Sequence, residues 1–161
     1  MHHLFWGTVT ERFGEYMTEI IFKSNFFQHG NEFYLGDLFD EDGEEIEDAP
    51  SAEQLDEFAQ TYQSFLHHWE ACLAQMQNKA FERYKKLYAH YYENPEKSGE
   101  PALIITKVEQ HNPYIRNLLN IRISERQTIR LAIRYDLDTE HGMEFKFINN
   151  QLVKVAAIAE T

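Results

Sequence analysis

The stretch SAEQLDEFAQTYQSFLHHWEACLAQM, residues 51–76, decides the fold. Ser51 and Gln54 have the spacing of a capping box, in which the serine hydroxyl accepts from the Gln54 backbone N–H and the glutamine side chain reaches back to the serine amide. Behind this cap, Leu55, Phe58, Tyr62, Phe65, Trp69, Cys72 and Met76 recur at alternating intervals of three and four residues, which is one face of an α-helix. The phase slips at Gln77-Asn78-Lys79 and resumes as Phe81, Tyr84, Tyr88 and Tyr91. The pattern predicts two helices, or one bent helix, ending at Asn94-Pro95. Glu96–Pro101 reads as a linker, and Ala102–Glu109 fits strand and helix equally.

An apolar helix stripe needs a partner surface, and the flanking sequence supplies one. Beyond Asn112-Pro113, which suits a short helix over Tyr114–Leu119, the period drops to two. Ile121 and Ile123 share one face, as do Ile129, Leu131, Ile133 and Tyr135, then Met143, Phe145 and Phe147, then Val153, Val155 and Ala157. Asn149-Asn150 suits a tight hairpin turn. Upstream, Leu4–Val9, Tyr16–Lys23 and Phe33–Phe39 read as strands, with turns at Gly14, His29-Gly30-Asn31 and Asp40-Glu41-Asp42-Gly43. The expectation is an α+β fold: a two-layer sandwich of antiparallel sheet or sheets packed against two long aromatic-rich helices. One domain is expected over residues 1–161, with strands in 1–49, helices in 51–94, and a short helix plus antiparallel strands in 112–158.

Composition sets the function classes. Twenty-three of 161 residues are Phe, Tyr or Trp, enough to fill a sizeable core. Cys72 is the single cysteine, which excludes an internal disulfide framework and a cysteine-rich zinc site. No apolar run approaches the roughly 20 residues that span a bilayer. Met1–Trp6 lacks the basic flank and apolar stretch of a secretory signal, so a cytoplasmic location without membrane association is expected.

Charge is the strongest functional signal. The net charge is −12, unevenly distributed: residues 1–78 carry 16 acids against two bases, residues 79–161 carry 11 against 13. No Lys or Arg occurs from Ser24 to Asn78. The densest part comprises Asp40, Glu41, Asp42, Glu44, Glu45, Glu47 and Asp48, followed by Glu53, Asp56 and Glu57. Such a run repels nucleic acid and attracts a basic surface at long range. Alternatively it is a solvated loop that maintains solubility.

Other constellations are weaker. Asp136, Asp138, Glu140 and His141 place four polar ligands between two strands. Yet Gly142 stands seventh where a calcium loop needs glycine sixth, and Phe147 stands twelfth where it needs Glu. Asp40, Asp42 and Gly43 make a similarly incomplete match. His67 and Glu70 lie one helical turn apart without further ligands, and Cys72 lies on the apolar stripe. In the C-terminal strands Arg122, Arg130, Arg134, Lys146 and Lys154 fall opposite the apolar face, forming a basic sheet surface broken by Glu144. No phosphate loop, dinucleotide fingerprint, nucleophile elbow or metalloprotease motif occurs, and no cofactor or catalytic residue is predicted.

Tyr135-Asp136-Leu137-Asp138-Thr139-Glu140-His141-Gly142-Met143-Glu144-Phe145, then Asn149-Asn150-Gln151-Leu152-Val153-Lys154-Val155, together with Phe5-Trp6-Gly7, the Ser51-x-x-Gln54 helix start and Tyr91-Tyr92, resembles a bacterial family of small, acidic, uncharacterised two-layer α/β proteins. Such proteins are often encoded beside toxins and look like immunity proteins. The resemblance implies a protein that neutralises a cognate toxin, and the acidic run implies a basic, nuclease-like one. The ten carboxylates from Asp40 to Glu57 named above would be the partner-binding residues, and no enzyme activity is expected. The alternatives are an enzyme or metal-binding domain on the Asp136–His141 loop, or a small RNA-binding protein using the basic sheet face.

Overall fold

The computed structural model describes residues 1–28 and 31–161; the turn expected at His29-Gly30 lies outside the described residues. The fold is mixed α/β, built on one eight-stranded sheet, larger than the sandwich expected. In chain order the strands are β1 (His2–His3), β2 (Gly7–Arg12), β3 (Glu15–Thr18), β4 (Glu32–Leu35), β5 (Asn117–Ser124), β6 (Thr128–Tyr135), β7 (Asp138–Ile148) and β8 (Gln151–Ala156). They lie side by side in sequence order. Every neighbouring pair is antiparallel except β4 and β5, which run parallel with Phe33 opposite Ile121. A parallel pair requires a crossover on one face of the sheet, and the helices form that crossover.

Five α-helices occur among the described residues, in place of the two long ones expected: α1 (Ala52–His67), α2 (Trp69–Leu87), α3 (Ala89–Tyr92), α4 (Pro95–Ser98) and α5 (Val108–His111). The Ser51–Gln54 capping box is present, with both reciprocal bonds made. The break falls at His68 and not at Gln77–Lys79. There the His68 amide donates to the Ser64 and Phe65 carbonyls, and its own carbonyl accepts from the Cys72 amide, so the ladder continues through a bend. The stripe therefore stays in register: Leu55, Phe58, Tyr62, Phe65, Cys72 and Met76 are buried, with Trp69 half-buried at the rim. At the far end Tyr84 is buried and Tyr91 exposed, because the turn into α3 brings Tyr92 inward instead.

The strands depart from their predicted limits for local reasons. Leu4-Phe5-Trp6 forms a turn, not a strand, held by His3 Nδ1 accepting from the Phe5 and Trp6 amides at 3.2 and 3.4 Å. The turn drives the Trp6 indole into the core, where its N–H donates to the Leu55 carbonyl at 2.9 Å. β3 ends at Thr18, whose hydroxyl donates to the Trp6 carbonyl, and the chain leaves the sheet before Phe22 turns inward. β4 stops at Leu35, before Gly36 with φ +94°. Asn112–Ile115 forms a 3₁₀ turn, and β5 takes over at Asn117 where a helix was expected.

The inner face of β5–β7 carries Ile121, Ile123, Ile129, Leu131, Ile133, Phe145 and Phe147, all buried against the helix stripe. Alternation fails in β8: Lys146 opposes Lys154 while the next residue, Phe147, opposes Leu152. Val153 is thus the extra residue of a bulge and is 53% exposed. Asn149 and Asn150 form the expected hairpin turn with φ of +47° and +64°, the left-handed pair that matches strand twist.

Candidate functional site

The predicted partner-binding residues occupy the start of the crossover, Asp40 to Asp48 between β4 and α1 and Glu53, Asp56 and Glu57 in the first turns of α1. All ten, Asp40, Glu41, Asp42, Glu44, Glu45, Glu47, Asp48, Glu53, Asp56 and Glu57, are exposed. Residues 38–46 double back on themselves: Phe39 bridges Glu45, and the Ile46 amide donates to the Leu38 carbonyl at 2.8 Å. Asp40 organises the bend, its Oδ1 accepting from the amides of Asp42 and Glu44, each at 2.9 Å. The arm is anchored at its far end by the Tyr16 hydroxyl, which donates to the Glu47 carbonyl.

Four of the ten carboxylates are engaged within the chain. Asp40 closes its own bend, Glu41 pairs with Arg126, Glu57 accepts from the Arg126 amide, and Asp56 meets His3 at 2.9 Å. For Asp42, Glu44, Glu45, Glu47, Asp48 and Glu53, no side-chain hydrogen bond or ion pair is found among the described residues. Two apolar side chains emerge among them, Phe39 at 58% and Ile46 at 37% exposure. The arm therefore presents carboxylate acceptors around apolar anchors.

The second predicted constellation separates. Asp138 and His141 come together: His141 Nδ1 lies 3.0 and 3.1 Å from the two carboxylate oxygens, and the His141 amide also donates to Asp138. The Tyr88 hydroxyl completes the shell, donating to Asp138 Oδ2 at 2.8 Å. Burial opposes the charged carboxylate, but these bonds outweigh it and hold Asp138 below its ordinary pKa. In turn Asp138 raises the pKa of His141, through the hydrogen bond first and its charge second. Glu140 and His141 line a shallow cleft of about 450 Å³ with Arg134, Thr139 and Ile158. Asp136 is exposed, and its amide donates to the Tyr114 carbonyl. Among the described residues no three His, Cys, Asp or Glu side chains gather as a metal site would require.

A buried polar network escaped the sequence reading. His111, fully buried, meets the Tyr135 hydroxyl at 2.7 Å and is ringed by Phe81, Tyr84 and Tyr114. Desolvation lowers its pKa to about 4, so the imidazole is neutral. The Tyr84 hydroxyl donates to Glu93 at 2.6 Å, and Glu93 also accepts from the Ile104 and Ile105 amides. The tyrosine spacing in α2 was the available signal, but nothing local ties residues 84 and 93 to residues 111 and 135. Cys72 is buried, and burial pushes its thiol pKa up to about 11, which suits packing and not nucleophilic chemistry. Among the described residues no helix is long and apolar enough to cross a membrane.

The chain belongs to a family described as Domain of unknown function (DUF6985), whose model matches residues 6–160. A search of curated proteins gave no match, and neither did a search of solved structures.

Proposed function

We propose that this protein is an immunity-type binding protein, not an enzyme, and that the acidic arm between β4 and α1 occupies a basic surface of a cognate toxin, of the nuclease kind. The observation that carries the reading is the arm itself, where exposed Phe39 and Ile46 stand among five carboxylates, Asp42, Glu44, Glu45, Glu47 and Asp48, for which no ion pair is found among the described residues. A nuclease presents a cationic cleft for phosphates. Carboxylates on a preformed bend match its Lys and Arg side chains with charge-assisted hydrogen bonds. Apolar anchors inside a charged rim are the usual anatomy of a binding hot spot. Long-range attraction between such surfaces speeds association to about 10⁸–10⁹ M⁻¹s⁻¹ at low salt.

The test first reads the neighbouring reading frames for a toxin domain, whose absence would count against the reading, and then purifies that domain with this chain. The purified pair is compared with a pair in which Asp42, Glu44, Glu45, Glu47 and Asp48 are replaced by Asn or Gln. Association should slow at least about tenfold at low salt, with a shallower salt dependence. An unchanged rate and slope, or no complex with the native chain, overturns the reading.

A further inference from the structure

The strand register places like charges side by side. Arg122 of β5 lies opposite Arg130 of β6, Arg130 opposite Lys146 of β7, and Lys146 opposite Lys154 of β8. The parallel pairing extends the same row to Tyr34 of β4, opposite Arg122. All five are on the face away from the helix layer, since their strand neighbours Phe33, Ile121, Ile123, Ile129, Leu131 and Phe145 point into the core. Four cations in line across four strands, one per roughly 4.8 Å, make a track about 14 Å long.

Like charges directly opposite in a sheet are unfavourable. Among the described residues the ion pairs of the row lie at one end, Glu15 with Arg122 and Asp37 with Arg130, and the Asp37 charge also favours protonated Lys146. No ion pair to Lys146 or Lys154 is found among the described residues, and Lys146 has a lowered pKa, from burial first and then from Arg130 and Lys154. At the other end of the row the Arg122 guanidinium lies over the Tyr34 ring, 4.7 Å from its centroid, and donates to the Gly36 carbonyl at 2.8 Å. The Arg122 side chain is 18% exposed and the Tyr34 hydroxyl donates to Glu32, so the part of this guanidinium–tyrosine stack open to a base is its outer edge.

We infer that the outer face of the sheet is a binding surface for a single nucleic-acid strand, its phosphates along Arg130, Lys146 and Lys154 and a base on the Arg122–Tyr34 pair. This inference does not rest on the proposed toxin contact. The row is linear and does not converge, so it suits a linear polyanion better than one phosphate group. The stacking surface at its head favours nucleic acid over a lipid surface. The acidic half of the chain opposes any polyanion, so binding is weak and steep in salt.

The test is fluorescence anisotropy of a labelled dodecauridine RNA from about 20 to about 200 mM salt. The native chain should bind at the low end. K146Q/K154Q should lower the salt slope by about 1.4, from roughly 0.7 per phosphate contact on a single strand. Tyr34→Leu should weaken binding about fivefold or more while leaving the slope unchanged. The double variant removes a repulsion, so its melting temperature should not fall; if it does, Lys154→Gln alone, at the sheet edge, should lower the slope by about 0.7. Absence of binding at about 20 mM salt, or a slope unchanged in the variants, overturns the inference. So does capture by phosphatidylserine vesicles without RNA binding.

Discussion

The His111 imidazole and the Tyr135 hydroxyl meet at 2.7 Å inside the core, joining the helical crossover to the middle of the sheet. Desolvation holds His111 neutral, with a pKa of about 4 against 6.5 in an exposed chain. The unfolded state therefore binds the extra proton first. Stability should be complete above about pH 6.5 and fall as the pH drops toward 4, by on the order of 1.4 kcal/mol per unit at most. Urea unfolding at stepped pH measures this. His111→Leu should flatten the slope above pH 4.5, before the depressed carboxylates of Glu93 and Asp138 begin to protonate.

Phe65→Ala should cost about 3–5 kcal/mol, since the ring is fully buried between Trp69, Phe22 and Phe147. Trp69→Ala should cost less despite the larger ring, because Trp69 is half-buried and its N–H reaches Ser24 at 3.2 Å. Chemical denaturation of both variants decides the order.

Gly142 has φ +64°, and a Cβ there would fall 2.4 Å from the Ile158 side chain and 2.9 Å from the Ile133 carbonyl oxygen. Gly142→Ala should destabilise by about 1–3 kcal/mol, from backbone strain and the backbone clash together. Gly14→Ala, where φ is also positive but the space is open, should cost less. Thermal melts of the pair separate strain from collision.

Ser51→Ala should remove about 1 kcal/mol by leaving the Gln54 amide without its cap. Gln54→Ala also loses the reciprocal bond to the Ser51 amide and the contact with Glu125. A double-mutant cycle should therefore show coupling between the two positions.

Asp138→Asn should bring the His141 pKa down toward the ordinary histidine range, since the hydrogen bond and charge of Asp138 are its largest causes of elevation. Tyr88→Phe should not lower the His141 pKa, since it removes a competing donor from Asp138 and leaves the carboxylate facing the imidazole. Proton NMR titration of the imidazole reads both outcomes.

Where a residue pattern is local, the sequence reports it. The capping box, the stripe from Leu55 to Met76, the Asn149-Asn150 turn and the inner faces of β5–β7 all rest on periodicity within one element. The bend at His68 was invisible because the hydrogen-bond ladder bridges it without disturbing the stripe. The turn at Leu4–Trp6 was missed because the His3 ring nitrogen that accepts from the Phe5 and Trp6 amides leaves no mark in the hydropathy pattern, and the Leu55 carbonyl that receives the indole N–H is distant in sequence. Parallel pairing of β4 with β5 leaves no local mark, so Tyr34 could not be placed beside Arg122. Among the acids, composition revealed the density of charge, but only the fold separates those held by Arg126 and His3 from those facing outward.

The crossover between β4 and β5 has a kinetic side. Phe33 must find Ile121, 88 residues later in the chain, before the two halves of the sheet become one. Loop-closure entropy is met before that contact returns any burial, and long-range pairing slows folding. During synthesis, the hairpin of β2 and β3 and the β4 segment leave the ribosome long before their neighbour β5 is made. In that interval Phe33 and Leu35 have no sheet partner on one side, and the α1 stripe has only part of its eventual floor. The acidic run lies between these exposed apolar segments, and its self-repulsion guards the waiting half-chain against association with its own copies.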